Sequence, residues 1–159
     1  MAILLPDNSW LATAAVFWAG IPARTRPPEA KGWIPCSVIC LRSHDAHDWS
    51  FSSLIANASE WQLNYSTFGP SENDMVLPPD NKTIMGVLRM DGDSGCGPTY
   101  KNYHSSFSTD FGHSFTRPAP IAGTGCVRPK LLVLSDPATP LIMAGGRLCT
   151  ENKVESSYG

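Results

Sequence analysis

The chain has 159 residues, a length that suits one domain, with 42% hydrophobic and 16% charged residues and a formal net charge of −2. This composition supplies enough apolar material for a core and too little charge for a disordered chain, and it offers neither a basic surface for nucleic acid nor an acidic tail. No apolar run reaches the roughly 18 residues that a membrane-spanning helix requires, so the sequence predicts no membrane span.

Short apolar segments alternate with clusters of turn residues along the chain, and this pattern predicts an all-β fold. No segment of about a dozen residues shows helical apolar spacing without an intervening proline or glycine. The predicted strands, in chain order, are Trp10–Phe17, Ser37–Arg42, Ser50–Ile55, Asp74–Leu77, Ile84–Arg89, His104–Ser108, Lys130–Leu134 and Leu141–Ala144. Strands at this spacing suit a sandwich, a barrel or a propeller.

The chain contains five cysteines, so at least one is unpaired within it. On a strand, Cys36 and Cys40 would face the same side about 13 Å apart, too far for a disulfide, and their spacing is not that of a zinc site. We therefore expect both to be small buried side chains. The four histidines also lack metal-ligand spacing, so the sequence predicts no metal and no cofactor.

Three Asn-x-Ser/Thr sequons, which begin at Asn57, Asn64 and Asn81, favour a secreted or lumenal protein. The segment Met1–Leu5 has no basic residue, so no signal peptide is predicted within the chain itself.

Two turns share a serine, an aspartate two residues later and a following aromatic residue. The fuller copy consists of Ser108, Asp110, Gly112, Ser114 and Phe115. The shorter copy, Ser43–Trp49, has one residue fewer and lacks the glycine. In such a turn the serine and aspartate can bond backbone groups, the glycine can adopt a positive φ, and the aromatic ring can fill apolar space between sheets. The motif therefore predicts a structural role and no part in chemistry.

The fuller copy resembles the Asp-box, Ser-x-Asp-x-Gly-x-Thr-Trp, of the sialidase superfamily, with Ser and Phe replacing Thr and Trp. The segments around it resemble the central blades of that superfamily in order and spacing, with the best match over residues 69–147. They are Gly69–Asn73, Leu77–Gly92, Gly125–Leu131 and Ala144–Arg147. The resemblance implies an incomplete β-propeller, about two to three blades of a six-bladed fold, with residues 1–159 as one partial domain.

The resemblance implies that the full-length parent is a retaining glycoside hydrolase of the exo-α-sialidase type. Such enzymes hold a substrate carboxylate with arginines and use a tyrosine nucleophile paired with a glutamate. By order in the family pattern, Glu72 matches that glutamate, Arg89 matches the second arginine, and Arg147 is a candidate for the third. The first arginine, the aspartate acid/base and the tyrosine have no match, so this chain alone is expected to be inactive.

The same residues also have plainer interpretations. Glu72 can be a polar residue entering a strand, Arg89 a surface residue beside a turn, and Arg128 is predicted to orient a loop before Pro129. Two other functions therefore stay open: a non-catalytic Asp-box propeller that binds carbohydrate or serves as a scaffold, and a truncated product without independent activity. The expected partner is a glycan or sialoside-type carbohydrate, and exposed blade faces predict poor solubility or association between copies.

Overall fold

The computed structural model describes residues 2–17, 36–57, 69–90, 102–124, 127–134 and 141–145. Within these residues the chain forms ten β-strands and no helix, which confirms the predicted all-β class. The strands are β1 Ala2–Leu4, β2 Trp10–Phe17, β3 Cys36–Ser43, β4 Ser50–Ala56, β5 Pro70–Val76, β6 Ile84–Met90, β7 His104–Ser108, β8 Ala119–Pro120, β9 Lys130–Val133 and β10 Leu141–Ala144.

The strands form three antiparallel sheets. The first sheet has the order β1-β2-β3-β4, the second sheet β5-β6-β7-β8, and the third sheet pairs β9 with β10. Each strand of the two larger sheets pairs with its neighbour in sequence, so both sheets are simple meanders. Within the described residues none of the sheets closes on itself.

The observed strand bounds differ from the prediction mainly where alternation of apolar residues fails. Strand β5 begins at Pro70 rather than at Asp74, because its first residues are polar and a register shift interrupts pairing between Pro70 and Asn73. Strands β1 and β8 were not predicted, since three and two residues are too few to display a period of two.

The first and second sheets pack face to face because alternate residues of their strands are apolar. The register of β2 with β3 places Leu11, Cys40 and Val38 on one face, where all three are fully buried. The buried cluster between the two sheets consists of Leu5, Leu11, Val38, Cys40, Ile55, Ala56, Met75, Ile84, Leu88 and Met90. This cluster is the larger of two cores among the described residues.

Cys36 and Cys40 are buried and do not form a disulfide, as predicted from their spacing. Burial raises the pKa of each thiol to about 11, so both thiols remain neutral at physiological pH. They act as small apolar side chains of the first sheet.

The opposite face of the second sheet packs against the third sheet. Val76 and Val87 alternate with the residues that face the first sheet, and they lie in a second cluster with Tyr103 and Leu131. The three sheets are therefore stacked in chain order, with the second sheet in the middle.

The turn Ser108–Phe115, which resembles an Asp-box, begins at the end of β7, and its hydrogen bonds are made by the residues that the sequence singled out. Asp110 Oδ1 accepts from Ser108 Oγ at 2.8 Å and from the Ser114 backbone N–H at 2.9 Å. Ser114 Oγ donates to Asp110 Oδ2 at 2.6 Å, and the Gly112 N–H donates to Ser108 Oγ at 2.8 Å. The hydrogen bond from the Ser114 hydroxyl, aided by its backbone N–H, lowers the pKa of Asp110 to about 2. The aspartate therefore stays ionised and holds the turn closed.

The box turn is also hydrogen-bonded to the neighbouring sheet. The Gly112 carbonyl accepts from the hydroxyls of Ser52 at 3.0 Å and Ser53 at 2.7 Å, both on β4. The Arg42 guanidinium, at the end of β3, donates to the carbonyl of Phe111. Two carbonyls of a turn in the second sheet are thus satisfied by donors of the first sheet.

Gly112 satisfies two separate requirements of this contact. Its φ is +86°, a conformation that side chains disfavour, and a Cβ there would lie 2.6 Å from Leu11 Cδ1. Phe115 at the end of the box packs against the core between the two sheets. The turn therefore covers the edge of the interface between the first and second sheets.

The shorter copy of the motif uses the same kind of turn. Asp45 Oδ1 accepts from the N–H groups of His47 and Asp48, both at 2.8 Å, and from Ser43 Oγ at 3.0 Å. Ala46 has a φ of +63°, whereas the fuller copy places two successive residues, Phe111 and Gly112, in this region. A shorter turn with a single left-handed residue explains why this copy lacks the glycine.

Replacing Gly112 by alanine should destabilise the chain more than replacing Gly123. Both glycines have positive φ, but a Cβ at Gly123 would meet nothing within 4 Å. We expect G123A to cost about 1–2 kcal/mol from backbone conformation, and G112A a further ~1–3 kcal/mol from the collision with Leu11. Urea unfolding followed by tryptophan fluorescence measures both. Equal losses would contradict the close docking of the box on the first sheet.

Candidate functional site

Glu72 on β5 and Arg89 on the neighbouring strand β6 are in contact where the register between the two strands shifts, on the face that turns toward the third sheet. Arg89 Nη1 donates to Glu72 Oε2 at 2.9 Å. The Arg89 side chain is 12% exposed and that of Glu72 is 35% exposed. The structure thus brings together two of the three residues that the resemblance assigned to one pocket. The third, Arg147, lies outside the described residues.

Arg128, for which the sequence predicted only a loop-orienting role, is a further partner of Glu72. Its backbone N–H donates to Glu72 Oε2 at 2.8 Å, and its Nε lies 3.6 Å from Glu72 Oε1. One carboxylate therefore contacts two arginines.

A second acidic residue of β5, Asp74, lies two positions after Glu72 and is fully buried. Its Oδ2 accepts from the Leu131 N–H at 2.9 Å and lies 3.9 Å from Lys130 Nζ. Its Oδ1 accepts from the Met75 N–H at 3.1 Å. Glu72 and Asp74 together hold the backbone of the segment that leads into β9.

Tyr103 and Gly145 fix the same segment from the other side. The buried Tyr103 hydroxyl donates to the Val127 carbonyl at 2.7 Å. A Cβ on Gly145 would lie 2.6 Å from Tyr103 Oη and 2.9 Å from the Arg128 carbonyl oxygen, so the glycine permits close packing here. The segment Val127–Leu131 is consequently enclosed by β5, Tyr103 and the end of β10.

Glu72 is a carboxylate that remains ionised. Burial raises its pKa, but the N–H of Arg128, the hydrogen bond from Arg89 and the charges of both arginines outweigh burial, so the pKa lies below its ordinary value. A lowered pKa makes Glu72 a poor proton acceptor and a good hydrogen-bond acceptor. It also excludes Glu72 as a general acid at neutral pH in this arrangement.

Neither a metal centre nor a membrane segment is found in the part of the chain that the structure describes. There, no three or more His, Cys, Asp and Glu side chains are grouped so that they could hold a metal ion. In the same residues, no helix is long and apolar enough to cross a membrane.

The chain matches no family model and no curated protein. It is similar to one solved structure, the crystal structure of a protein of unknown function from Dyadobacter fermentans DSM 18053, with a TM-score of 0.61 and 16% sequence identity. The match covers 89% of this chain and 32% of that chain, so the present sequence spans about a third of its length. At this identity the likeness shows the fold alone.

Replacing Glu72 by glutamine should weaken the joint between the second and third sheets in a pH-dependent way. The amide keeps an acceptor oxygen but loses the charge, so we expect a loss of about 1–2 kcal/mol in the free energy of unfolding at pH 7. The folded-state pKa lies below the ordinary 4.5. The contribution of the charge is therefore fully present above that value and is lost as pH falls through the folded pKa.

Urea unfolding of the wild type and E72Q between pH 7 and pH 3 tests this, with the exposed Asp48 changed to asparagine as the control. The difference between wild type and E72Q should shrink in acid, whereas D48N should stay close to the wild type throughout. A difference that does not depend on pH would show that the charge of Glu72 does not hold the joint.

Proposed function

We propose that this chain is part of a sialidase-type β-propeller whose full-length parent is an exo-α-sialidase-type glycoside hydrolase, and that Glu72 and Arg89 belong to its ligand pocket. The observation that carries the proposal is the contact between these two residues at 2.9 Å on adjacent strands. They are also the residues that the family pattern matches to the glutamate of the nucleophile pair and to a carboxylate-binding arginine.

The arrangement of the sheets supports a propeller. Two four-stranded meanders stacked face to face in chain order are what neighbouring blades would provide. The Asp-box turn of one sheet is bonded to the preceding sheet, which fits a device that joins blades. On this proposal the third sheet is the beginning of a further blade, and the similar but longer solved chain is compatible with a larger ring.

The burial of Arg89 and its contact with Glu72 support a role in carboxylate binding. A guanidinium presents N–H donors in a fork that matches the two oxygens of a carboxylate. Glu72 holds one of these nitrogens and limits the rotation of a side chain that is only 12% exposed. An arginine oriented in advance loses less conformational entropy when a ligand binds.

Glu72 would then serve as an ionised acceptor for a neighbouring hydroxyl, in keeping with its lowered pKa. The aspartate acid/base and the tyrosine nucleophile have no match in the sequence, so turnover is assigned to the parent enzyme and not to this chain.

A non-catalytic Asp-box propeller that binds carbohydrate or serves as a scaffold is the second candidate. It is favoured by the hydrogen bond between Glu72 and the backbone of Arg128, because a purely structural carboxylate would make the same bond and have the same low pKa. In that case the pair would brace two sheets and contact no ligand.

Binding of N-acetylneuraminic acid, compared with binding of its uncharged methyl ester, separates the two candidates. We expect the chain to prefer the acid, and we expect R89A to weaken acid binding by about 10–100-fold because a charge-assisted contact is lost. R42A is a matched control, since Arg42 is also 12% exposed but bonds to Ser9 and Phe111 instead.

Isothermal titration calorimetry gives the affinities, and circular dichroism checks that each variant is folded. R42A should keep the preference for the acid. Equal affinities for acid and ester in the wild type, or an unchanged preference in R89A, would favour the non-catalytic candidate.

We further propose that copies of the chain associate through apolar sheet faces. On the outer face of the first sheet, Phe51 is 63% exposed, Leu54 is 42% exposed and Leu4 is 50% exposed. On the outer face of the third sheet the paired residues Leu132 and Ile142 are 57% and 42% exposed. Both outer faces of the stack therefore present apolar side chains to solvent, which favours association.

Replacing both Phe51 and Leu54 by threonine should weaken this association at least about tenfold, because burial of each side chain contributes about 1.5–3 kcal/mol. Phe17 is a suitable control, since it is 60% exposed but lies on the opposite face of the same sheet. Sedimentation velocity should show a smaller species for F51T/L54T and no change for F17T. A wild-type chain that is monomeric at high concentration would contradict the proposal.

A further inference from the structure

The turn that joins β5 to β6 carries one of the three sequons of the sequence. This sequon consists of Asn81, Lys82 and Thr83, and both Asn81 and Lys82 are exposed. The sequon at Asn57 begins with a half-buried residue, and the sequon at Asn64 lies outside the described residues. Of the sequon asparagines that the structure describes, Asn81 is therefore the one that solvent surrounds.

The turn is closed by groups other than the Asn81 side chain. The Asn81 N–H donates to the Pro78 carbonyl at 3.0 Å. Asp80 Oδ1 accepts from the N–H groups of Lys82 at 3.0 Å and of Thr83 at 3.2 Å. The side-chain amide of Asn81 makes no hydrogen bond to another described residue. A substituent on that amide would therefore break none of the bonds that order the turn.

The backbone of Asn81 lies in the left-handed region, with a φ of +52°. Asparagine adopts this region more readily than most residues with a side chain, and glycine adopts it without steric cost. Replacing Asn81 by glycine thus removes the amide and keeps the conformation of the turn.

The turn lies at the end of the second sheet that is away from Glu72 and Arg89. Val76 pairs with Met85 beside the turn. Glu72 and Arg89 are each four residues further along their strands, which is about 13 Å. The first and third sheets pack on the faces of the second sheet, so a group attached at the end of this hairpin displaces neither of them.

We propose that Asn81 is the attachment site of an N-linked glycan. The donor is an oligosaccharide carried on a lipid pyrophosphate in the lumen of the secretory pathway, the compartment that the sequons favour. Asn81 Nδ2 forms a bond to the anomeric carbon of the sugar while the bond from that carbon to the pyrophosphate oxygen breaks. The amide loses one proton, and the lipid pyrophosphate leaves with the bonding electron pair. This inference does not depend on the ligand pocket.

The glycan has a physical consequence for a chain with apolar outer faces. It adds a large hydrated group to the end of the middle sheet without covering those faces. We therefore expect it to raise the solubility of the chain.

The test is expression of residues 1–159 in a eukaryotic cell behind a cleavable signal peptide. Peptide N-glycosidase in heavy-oxygen water converts each glycosylated asparagine into a labelled aspartate, and mass spectrometry then gives the occupancy of each sequon. The total pool is measured, because the sugar is transferred as the chain enters the lumen, before any sorting. The variants are N81G, T83A and T83S, with N57Q as the control at another sequon.

We expect the label at position 81 in the wild type, in T83S and in N57Q, and its loss in T83A. N81G should lack one glycan relative to the wild type. When both are made in bacteria without glycans, N81G should unfold at the same urea concentration as the wild type or at a higher one. The saturating concentration of the glycosylated wild type should fall when peptide N-glycosidase removes the sugar.

A wild-type chain without label at position 81 would overturn the proposal, whichever other sequon is occupied. A label at that position that persists in T83A would show deamidation unrelated to a sequon and would also overturn it. An unchanged saturating concentration after removal of the sugar would leave the site in place and overturn its effect on solubility.

Discussion

Two carboxylates on β5 accept hydrogen bonds from the backbone of a segment that is distant in sequence, and the arrangement of the second and third sheets depends on them. Glu72 bonds to the N–H of Arg128, and the fully buried Asp74 bonds to the N–H of Leu131. A buried carboxylate is tolerated only where charge-assisted hydrogen bonds replace its lost hydration. The apolar contacts of Val76, Val87 and Leu131 bring the sheets together, but the carboxylates fix how they align. The contact between Arg128 and Glu72 depends on the same alignment, because Arg128 belongs to the segment that leads into the third sheet.

The joint between the first and second sheets is built on a different principle. There Asp110 closes a local turn, and two backbone carbonyls of that turn accept hydrogen bonds from the first sheet, one of them from Arg42. The turn is ordered by bonds between residues at most four positions apart, so it can form before it docks. The chain thus joins one pair of sheets with a preformed turn and the other pair with long side chains that reach across.

This difference explains which features the sequence could predict. The Ser108–Phe115 turn and most strands were predictable because their patterns are local, a fixed spacing of Ser, Asp and Gly in one case and a period of two in the other. The family pattern predicted that Glu72 and Arg89 share one pocket, which stays a prediction; the structure shows that the two side chains are in contact on adjacent antiparallel strands. Neither Asp74 nor the contact of Arg128 with Glu72 was predicted, since they join residues 57 and 56 positions apart through the packing of two sheets. The early start of β5 was also missed, because polar residues and a register shift conceal the strand.

The sharing of Glu72 Oε2 by Arg89 and the Arg128 N–H has a thermodynamic consequence. On the proposed function, the group that anchors the third sheet is also the group that orients a ligand-binding arginine, so ligand binding and attachment of that sheet would be linked equilibria. Such linkage is reciprocal. A bound anion that stabilises the packing of β9 by a given free energy binds more tightly by the same free energy once β9 is packed. The N–H groups of Arg128 and Leu131 donate to Glu72 and Asp74. The hydrogen-exchange rates of these two amides would therefore report whether a ligand bound at Glu72 and Arg89 changes the attachment of β9.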